Sequence, residues 1–336
     1  MNKYLNEALI YKEWKAVYWF LIPLILFSSR AFEISDLIEF GKRGNADIFY
    51  GYWEIFYANF YNYLTILLII FMAYLIMNND RRESTKNLIT YMPFNIGQRI
   101  VSKLVVGEFI IFLSCLIGFI INTIVYEGNI NYLSRIMKFQ YIIWYLVIYF
   151  FIYSVLYFLF VYVQCFCKNG IFGTVLAASI LILPSAIEDL IHYVTHIDAI
   201  YKFDALIIRY YLRLPVNCDF SEKKQRIISY NFLPATMRLI IILAILCMLF
   251  VLFVKRERIG EGIQLKISPK KEVAFKVFSS ISIGTLAAKG LSALLNAQQS
   301  LTIYVILLNM IFIAAAYFTY SQIDKVIKLS KYDRGE

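Results

Sequence analysis

Long apolar segments separated by shorter polar ones dominate the pattern along the chain. Since an α-helix rises about 1.5 Å per residue, about 20 apolar residues suffice to cross the hydrocarbon core of a bilayer. The pattern therefore predicts an all-α polytopic membrane protein with eight transmembrane helices. The predicted spans are residues 16–29, 57–77, 104–126, 141–164, 171–191, 239–254, 277–295 and 301–320.

An interfacial elbow helix is predicted at residues 1–15, ahead of the first span. Its apolar residues, such as Leu9 and Trp14, are interleaved with charged residues such as Lys12 and Glu13. This pattern is typical of a helix that lies in the headgroup plane with its apolar face in the lipid. The alternative is a juxtamembrane extension that only anchors the chain.

The remaining chain divides into three predicted regions. Residues 16–254 form a six-span core, residues 255–276 a basic cytoplasmic linker, and residues 277–336 two additional spans with a cytoplasmic tail. The span at 277–295 is rich in small residues and contains Lys289. Small residues let helices approach closely, so this segment can pack within protein, and the pattern leaves open whether it crosses the membrane completely.

The composition agrees with a membrane protein. Of the 336 residues, 60% are hydrophobic and 17% are charged, and the mean hydropathy is +0.65. These values exclude a soluble globular domain and a disordered chain. The formal net charge of +10 would suggest nucleic-acid binding in a soluble protein, but here it fits the excess of Lys and Arg in cytoplasmic loops. We therefore expect contacts with membrane lipids, no nucleic-acid partner, and both termini in the cytoplasm.

The common catalytic motifs are missing from the sequence. It contains no G-x-x-x-x-G-K-[ST] phosphate-binding loop, so we do not expect the chain to hydrolyse ATP itself. It also lacks H-E-x-x-H, G-x-S-x-G and a dinucleotide-binding glycine pattern. The five cysteines show no paired spacing. The sequence therefore predicts no enzyme, no bound cofactor and no metal cage.

One polar cluster at the outer end of the fifth predicted span is a candidate site. Glu188, His192 and His196 follow one another at intervals of four residues, which places them on one helical face beside Asp189. We interpret the four residues as an external polar cluster that can serve as a gate at headgroup level. The alternative is an intramembrane metalloenzyme, since two imidazoles and a carboxylate can bind Zn²⁺ or relay protons.

The richest polar segment on the predicted cytoplasmic side lies between the second and third spans, at residues 79–103. It predicts a short amphipathic helix that ends before a proline. Such a helix can dock in a groove of a cytoplasmic partner, with apolar residues as anchors and charges setting the register. The candidate residues are Arg82, Glu83, Lys86, Leu88, Ile89, Met92, Pro93 and Arg99.

Two motifs resemble the ABC-2-type transporter permeases. Glu83, the pair Leu88 and Ile89, and then M-P-F-N-I-G-Q-R-I-V-S-K are similar to the loop between the first two core helices of that family. The sequence F-V-K-R-E-R-I-G-E-G at 253–262 is similar to the segment after the last core helix. The chain departs from the family where Ser84 and Thr85 replace a usual Gly-Thr, and where two spans exceed the usual six.

This resemblance implies the permease subunit of a bacterial ABC exporter in the plasma membrane. Residues 79–103 would be the loop that couples it to separate ATPase subunits, which bind ATP and Mg²⁺. A second permease copy or a paralogue would complete the membrane dimer. The cargo that the resemblance and the greasy, aromatic bundle favour is amphipathic or hydrophobic, with a membrane-active or antimicrobial peptide first and a lipid or drug as the alternative.

Overall fold

In a computed structural model, residues 6–30, 34–43, 60–79, 96–136, 138–167, 170–180, 218–221, 226–230, 233–256, 269–294 and 309–318 are described. These residues are almost entirely helical. The chain divides into two compact units. The first comprises Met1–Gly170 with Arg209–Gln264, and the second comprises Ile171–Ile208 with Leu265–Glu336.

Helices, one 3₁₀ turn and a pair of strands make up almost all of the described residues. They are α1 Glu7–Val17, a 3₁₀ turn Tyr18–Phe20, α2 Leu21–Arg30, α3 Ile34–Arg43, α4 Phe60–Asn79, α5 Ile96–Gly128, α6 Ile130–Ile136, α7 Gln140–Phe166, α8 Gly170–Ile180, β1 Cys218–Ser221, β2 Arg226–Tyr230, α9 Leu233–Arg256, α10 Pro269–Leu294 and α11 Asn309–Phe318.

Among the described residues, two helices are long and apolar enough to cross a membrane, one in α5 at Gly97–Gly128 and one in α7 at Ile142–Cys165. The 33 residues of α5 extend roughly 50 Å, beyond the hydrocarbon thickness of about 30 Å. Shorter apolar helices occur in α4, α8, α9 and α11. In each of the eight predicted spans, the residues that the structure describes are helical. The number of membrane crossings stays a prediction.

Helix α5 forms the centre of the first unit. It packs against α1, α2 and α7, while α4 packs against α1, α2 and α7, and α9 packs against α7. Helix α5 carries apolar residues on all its sides. Some of them face neighbouring helices, and others, such as Phe109 and Ile124, face outward. A helix that is apolar all round fits a bundle that is itself surrounded by lipid.

Small and polar residues bring α2 close to α5. The Ser28 hydroxyl donates to the Ser114 carbonyl at 3.4 Å, and the Asn122 amide donates to the Ser29 carbonyl at 3.2 Å. Between these contacts, Gly118 lies against the Ser29 backbone. This is the kind of interface that small residues permit between helices in a membrane.

The first predicted span is divided into two helices. Helix α1 continues to Val17, whose φ of −132° and ψ of −2° depart from helical values, and the 3₁₀ turn precedes α2. The break therefore lies two residues beyond the predicted elbow.

A short antiparallel hairpin, β1–β2, is the only β-structure among the described residues, and the apolar pattern did not predict it. Strand β2 contacts α6, and α6 contacts α3. Lys42 of α3 lies 5.7 Å from the ring centroid of Tyr132 on α6. Because α6 follows the carboxyl end of α5, these elements cover that end of the first unit.

The second unit is described in three helical pieces, most of α8 together with α10 and α11. Gly284 of α10 lies so close to Ile313 of α11 that a β-carbon there would meet the Ile313 backbone. Other buried small residues, including Ser280 and Ala288, lie along the same helix. The small-residue pattern predicted such packing for this segment, and α10 begins earlier than the predicted span, at Pro269.

We expect Gly107→Ala to destabilise the protein by about 1–3 kcal/mol, because a β-carbon there would overlap the buried ring of Tyr157 on α7. Gly128→Ala on the same helix is the matched control, since no atom lies within 4 Å of its β-carbon position. This control should change stability by no more than about 1 kcal/mol. Unfolding midpoints of the purified proteins in one detergent measure both, and equal midpoints would contradict the packing of α5 on α7.

Candidate functional site

A buried ion pair joins α1 to α5. The Lys103 ammonium lies 2.9 Å from Oε1 of Glu13, and the two side chains are 0% and 1% exposed. Charges so far from water are stable only when they are paired and hydrogen-bonded. Helix α1 is therefore held against α5 at this point.

The same ammonium binds the end of α4. Lys103 Nζ donates to the carbonyl of Ile76 at 2.7 Å. Ile76 lies in the last turn of α4, where the final four carbonyls have no partner within the helix and the helix dipole favours a cation. Lys103 thus supplies both the missing donor and the favourable charge. We call Glu13, Lys103 and the Ile76 carbonyl the lysine clamp.

A tyrosine from α7 completes the junction. The Tyr157 hydroxyl donates to the backbone carbonyl of Lys103 at 2.7 Å, and the whole side chain is buried. Its ring lies on Gly107, one turn further along α5, where the absence of a side chain leaves room for it. Four helices, α1, α4, α5 and α7, therefore meet around one turn of α5.

A second cation stands near the clamp. Lys12 Nζ lies 3.5 Å from the same Glu13 oxygen, but its side chain is 28% exposed. An exposed ammonium remains hydrated, so its attraction to the carboxylate is weak compared with that of buried Lys103. The other Glu13 oxygen, Oε2, is buried without a hydrogen-bond partner. Lys103 is therefore the cation that neutralises the Glu13 carboxylate.

The clamp lies near the two helix ends that the candidate loop connects. Ile76 is three residues from the end of α4, and Lys103 is seven residues, roughly 10 Å, from the start of α5. The chain between these helices is the segment 80–95. That segment therefore connects the two helices that Lys103 also joins.

Most of the sequence-predicted site residues lie outside the described residues. In the loop these are Arg82, Glu83, Lys86, Leu88, Ile89, Met92 and Pro93, and in the external cluster they are Glu188, Asp189, His192 and His196. Arg99 is described. It lies on α5 one turn before Lys103, is partly exposed, and its carbonyl accepts a 2.9 Å hydrogen bond from the Ser102 hydroxyl.

Glu13 was interpreted from the sequence as part of the polar side of an interfacial helix, and for this residue the interpretation is wrong. The structure buries Glu13 because Lys103, 90 residues away in sequence, neutralises it. A local signal was available, since Leu9, Glu13 and Val17 recur at intervals of four and are the buried residues of α1. Glu13 therefore lies in line with the apolar face.

Sequence reasoning also missed Glu108 in the apolar middle of α5. Its Oε2 accepts a 2.7 Å hydrogen bond from the Ser154 hydroxyl of α7. The available signal was a lone carboxylate inside a long apolar run. In the described part of the chain, no three His, Cys, Asp or Glu residues are grouped in a way that could hold a metal ion.

A family model described as ABC-2 family transporter protein matches residues 12–185, just over half of the chain. The chain belongs to the ABC-2 transporter family. No curated protein and no solved structure gave a significant match. Membership implies an integral membrane protein that works with an ABC ATPase subunit. The matched ABC-2 region contains the complete lysine clamp and the segment between α4 and α5.

We expect Lys103→Met to destabilise this ABC-2 protein by about 3–5 kcal/mol, because it leaves the Glu13 carboxylate buried without a cation. Adding Glu13→Gln should recover most of that loss, since the unpaired charge is then gone. Lys12→Met is the control, and it should cost no more than about 1 kcal/mol. Thermal or denaturant unfolding in detergent measures Lys103→Met, Glu13→Gln, the double variant and Lys12→Met. Strict additivity of the two clamp substitutions would contradict a direct pair.

Proposed function

We propose that the chain is the transmembrane permease subunit of an ATP-driven ABC exporter and that its 79–103 segment couples it to a separate ATPase subunit. The observation that carries this proposal is the bridge formed by Lys103 between the last turn of α4 and the buried carboxylate of α1. Both helices that flank the segment are thereby tied into the bundle.

Coupling requires that a push on the loop moves several helices together. If α4 and α5 were joined only by the loop, a displacement would bend one helix end locally. With the clamp, the ends of α4 and α5 move with α1, and Tyr157 links α7 to the same turn. Binding of ATP by the partner can then shift the bundle between two arrangements through its different affinity for each.

The contacts with the ATPase are assigned by residue chemistry. Leu88, Ile89 and Met92 are the apolar anchors of the amphipathic segment, which ends at Pro93. Glu83 and Arg99 make polar contacts, with Arg82 and Lys86 alongside. ATP and Mg²⁺ bind in the partner ATPase, and this chain supplies no phosphate-binding loop.

The proposed cargo is amphipathic or hydrophobic. Aromatic residues make up 18% of the chain, and charged residues only 17%. A bundle of this composition suits greasy molecules better than ions or sugars, and we favour a membrane-active or antimicrobial peptide over a lipid or a drug. The transporter works in a bacterial plasma membrane, with both termini in the cytoplasm and a second permease copy or paralogue as its partner.

The coupling proposal is tested with the permease and its ATPase purified together in lipid nanodiscs. We expect Glu83→Ala to lower the rate of ATP hydrolysis at least tenfold while the complex stays assembled, because only a polar contact is removed. Leu88→Asp should instead release the ATPase, since it places a charge in an apolar groove. ATP hydrolysis and the ratio of the two subunits on size exclusion are the measurements.

Asp80→Ala is the matched control, because it removes a carboxylate from the same segment outside the proposed contact set. It should leave both readouts within about twofold of the unmodified complex, less than 0.5 kcal/mol by the usual conversion. Normal ATP hydrolysis and normal assembly in both Glu83→Ala and Leu88→Asp would refute the assignment of the loop.

A further inference from the structure

Helices α5 and α7 run antiparallel and meet along one seam. Three contacts follow each other in opposite order on the two helices. Tyr157 lies on Gly107, Ser154 binds Glu108, and Phe150 contacts Phe112. The first contact belongs to the lysine clamp region, and the other two lie progressively further from it along α5.

Glu108 is incompletely satisfied in this seam. Ser154 donates to its Oε2 at 2.7 Å, whereas its Oε1 atom is buried and has no hydrogen-bond partner. Within the described residues Glu108 also has no ion-pair partner, unlike Glu13, which has Lys103. Of these two interior carboxyl groups, Glu13 alone lies beside a buried cation among the described residues.

Such an arrangement is costly unless something else provides the missing donor. A buried acceptor without a hydrogen bond costs about 1–3 kcal/mol, and a charge in a membrane span more. Packing alone does not require a carboxyl group here, since an apolar residue would fill the same space between α5 and α7. An intramembrane carboxylate without a cation of its own points to one that comes from outside the chain.

Aromatic rings stand one turn away from the carboxyl group. Phe112 and Phe150 have ring centroids 5.6 Å apart at an interplanar angle of 81°, and Phe112 is 44% exposed. On α5, Phe112 follows Glu108 by four residues, and on α7, Phe150 precedes Ser154 by four, so each pair shares a helix face. Aromatic faces attract cations and also accept apolar chains.

We propose that Glu108, Ser154, Phe112 and Phe150 form a binding site for a protonated primary amine attached to an apolar chain. The ammonium group donates to Oε1 of Glu108, which lacks a donor, while Ser154 keeps Oε2 in place. The apolar chain lies along Phe112 and Phe150. Occupation requires Phe112 and Phe150 to move apart, while the contacts of Tyr157 with Gly107 and with the Lys103 carbonyl hold α5 and α7 together beside the site.

This inference rests on the proposed function, because it names the chemistry of the amphipathic cargo. A lysine side chain or amino terminus of a peptide provides such an amine, and so does the headgroup of phosphatidylethanolamine. Both sources present an ammonium group next to an apolar chain or surface.

The test is direct binding of hexylamine, with 1-hexanol as the neutral analogue, to the full chain in phosphatidylcholine nanodiscs. Binding to empty nanodiscs is subtracted. We expect saturable binding of hexylamine at least tenfold tighter than that of hexanol. Glu108→Gln should abolish this difference, because the amide keeps the shape and the Ser154 contact but not the charge. Phe112→Ala should weaken both ligands.

Glu127→Gln is the matched control, since Glu127 is an exposed carboxylate on the same helix. It should bind both ligands like the unmodified protein, and unfolding midpoints confirm that each variant is folded. Equal affinity for hexylamine and hexanol, or unchanged amine binding in Glu108→Gln, overturns the site.

Two competition arms identify the source of the amine. Loss of hexylamine binding in nanodiscs that contain phosphatidylethanolamine supports the lipid, and displacement by a lysine-containing amphipathic peptide supports the cargo. The assay needs no ATPase. A failure here together with loop-dependent ATP hydrolysis removes the amine site alone, and the reverse result removes the coupling proposal alone.

Discussion

One buried ion pair constrains the arrangement of this bundle. Glu13 and Lys103 lie out of contact with water. If either left the interior, the other would remain as a buried charge without a partner. Helix α1 must therefore stay on α5, and the same ammonium, by binding the Ile76 carbonyl, keeps the end of α4 there too. The three helix segments share one fixed point next to the loop that joins two of them. Under the proposed function, the pair transmits force from that loop as well as stabilising the bundle.

The seam between α5 and α7 extends from that fixed point. Next to the clamp it is tightly packed, with the Tyr157 ring on Gly107 and the Tyr157 hydroxyl on the Lys103 carbonyl. Further along it holds Glu108, whose second oxygen lacks a partner. The tight Tyr157 contact and the oxygen without a donor thus lie side by side on α5.

The positions of α5 and α7 could be predicted from the sequence, because a helix must be long and apolar to cross a bilayer, and both helices contain their predicted spans. The clamp could not, since Glu13 and Lys103 are 90 residues apart and an isolated charge near a span is usually found at the headgroups. Only the alignment of Glu13 with Leu9 and Val17 indicated burial. The hairpin β1–β2 was not predicted, because strands of four and five residues are too short for a clear alternation of apolar and polar residues.

The most direct test of this account is the side of the membrane on which the segment between α4 and α5 lies. Ser84→Cys, in a chain whose native cysteines are replaced, is treated with an impermeant maleimide in intact cells and in inverted vesicles. Ser134→Cys on α6, at the far end of α5, is the control. We predict labelling of Ser84→Cys only in inverted vesicles and of Ser134→Cys only in intact cells. Labelling of Ser84→Cys from outside intact cells would contradict it.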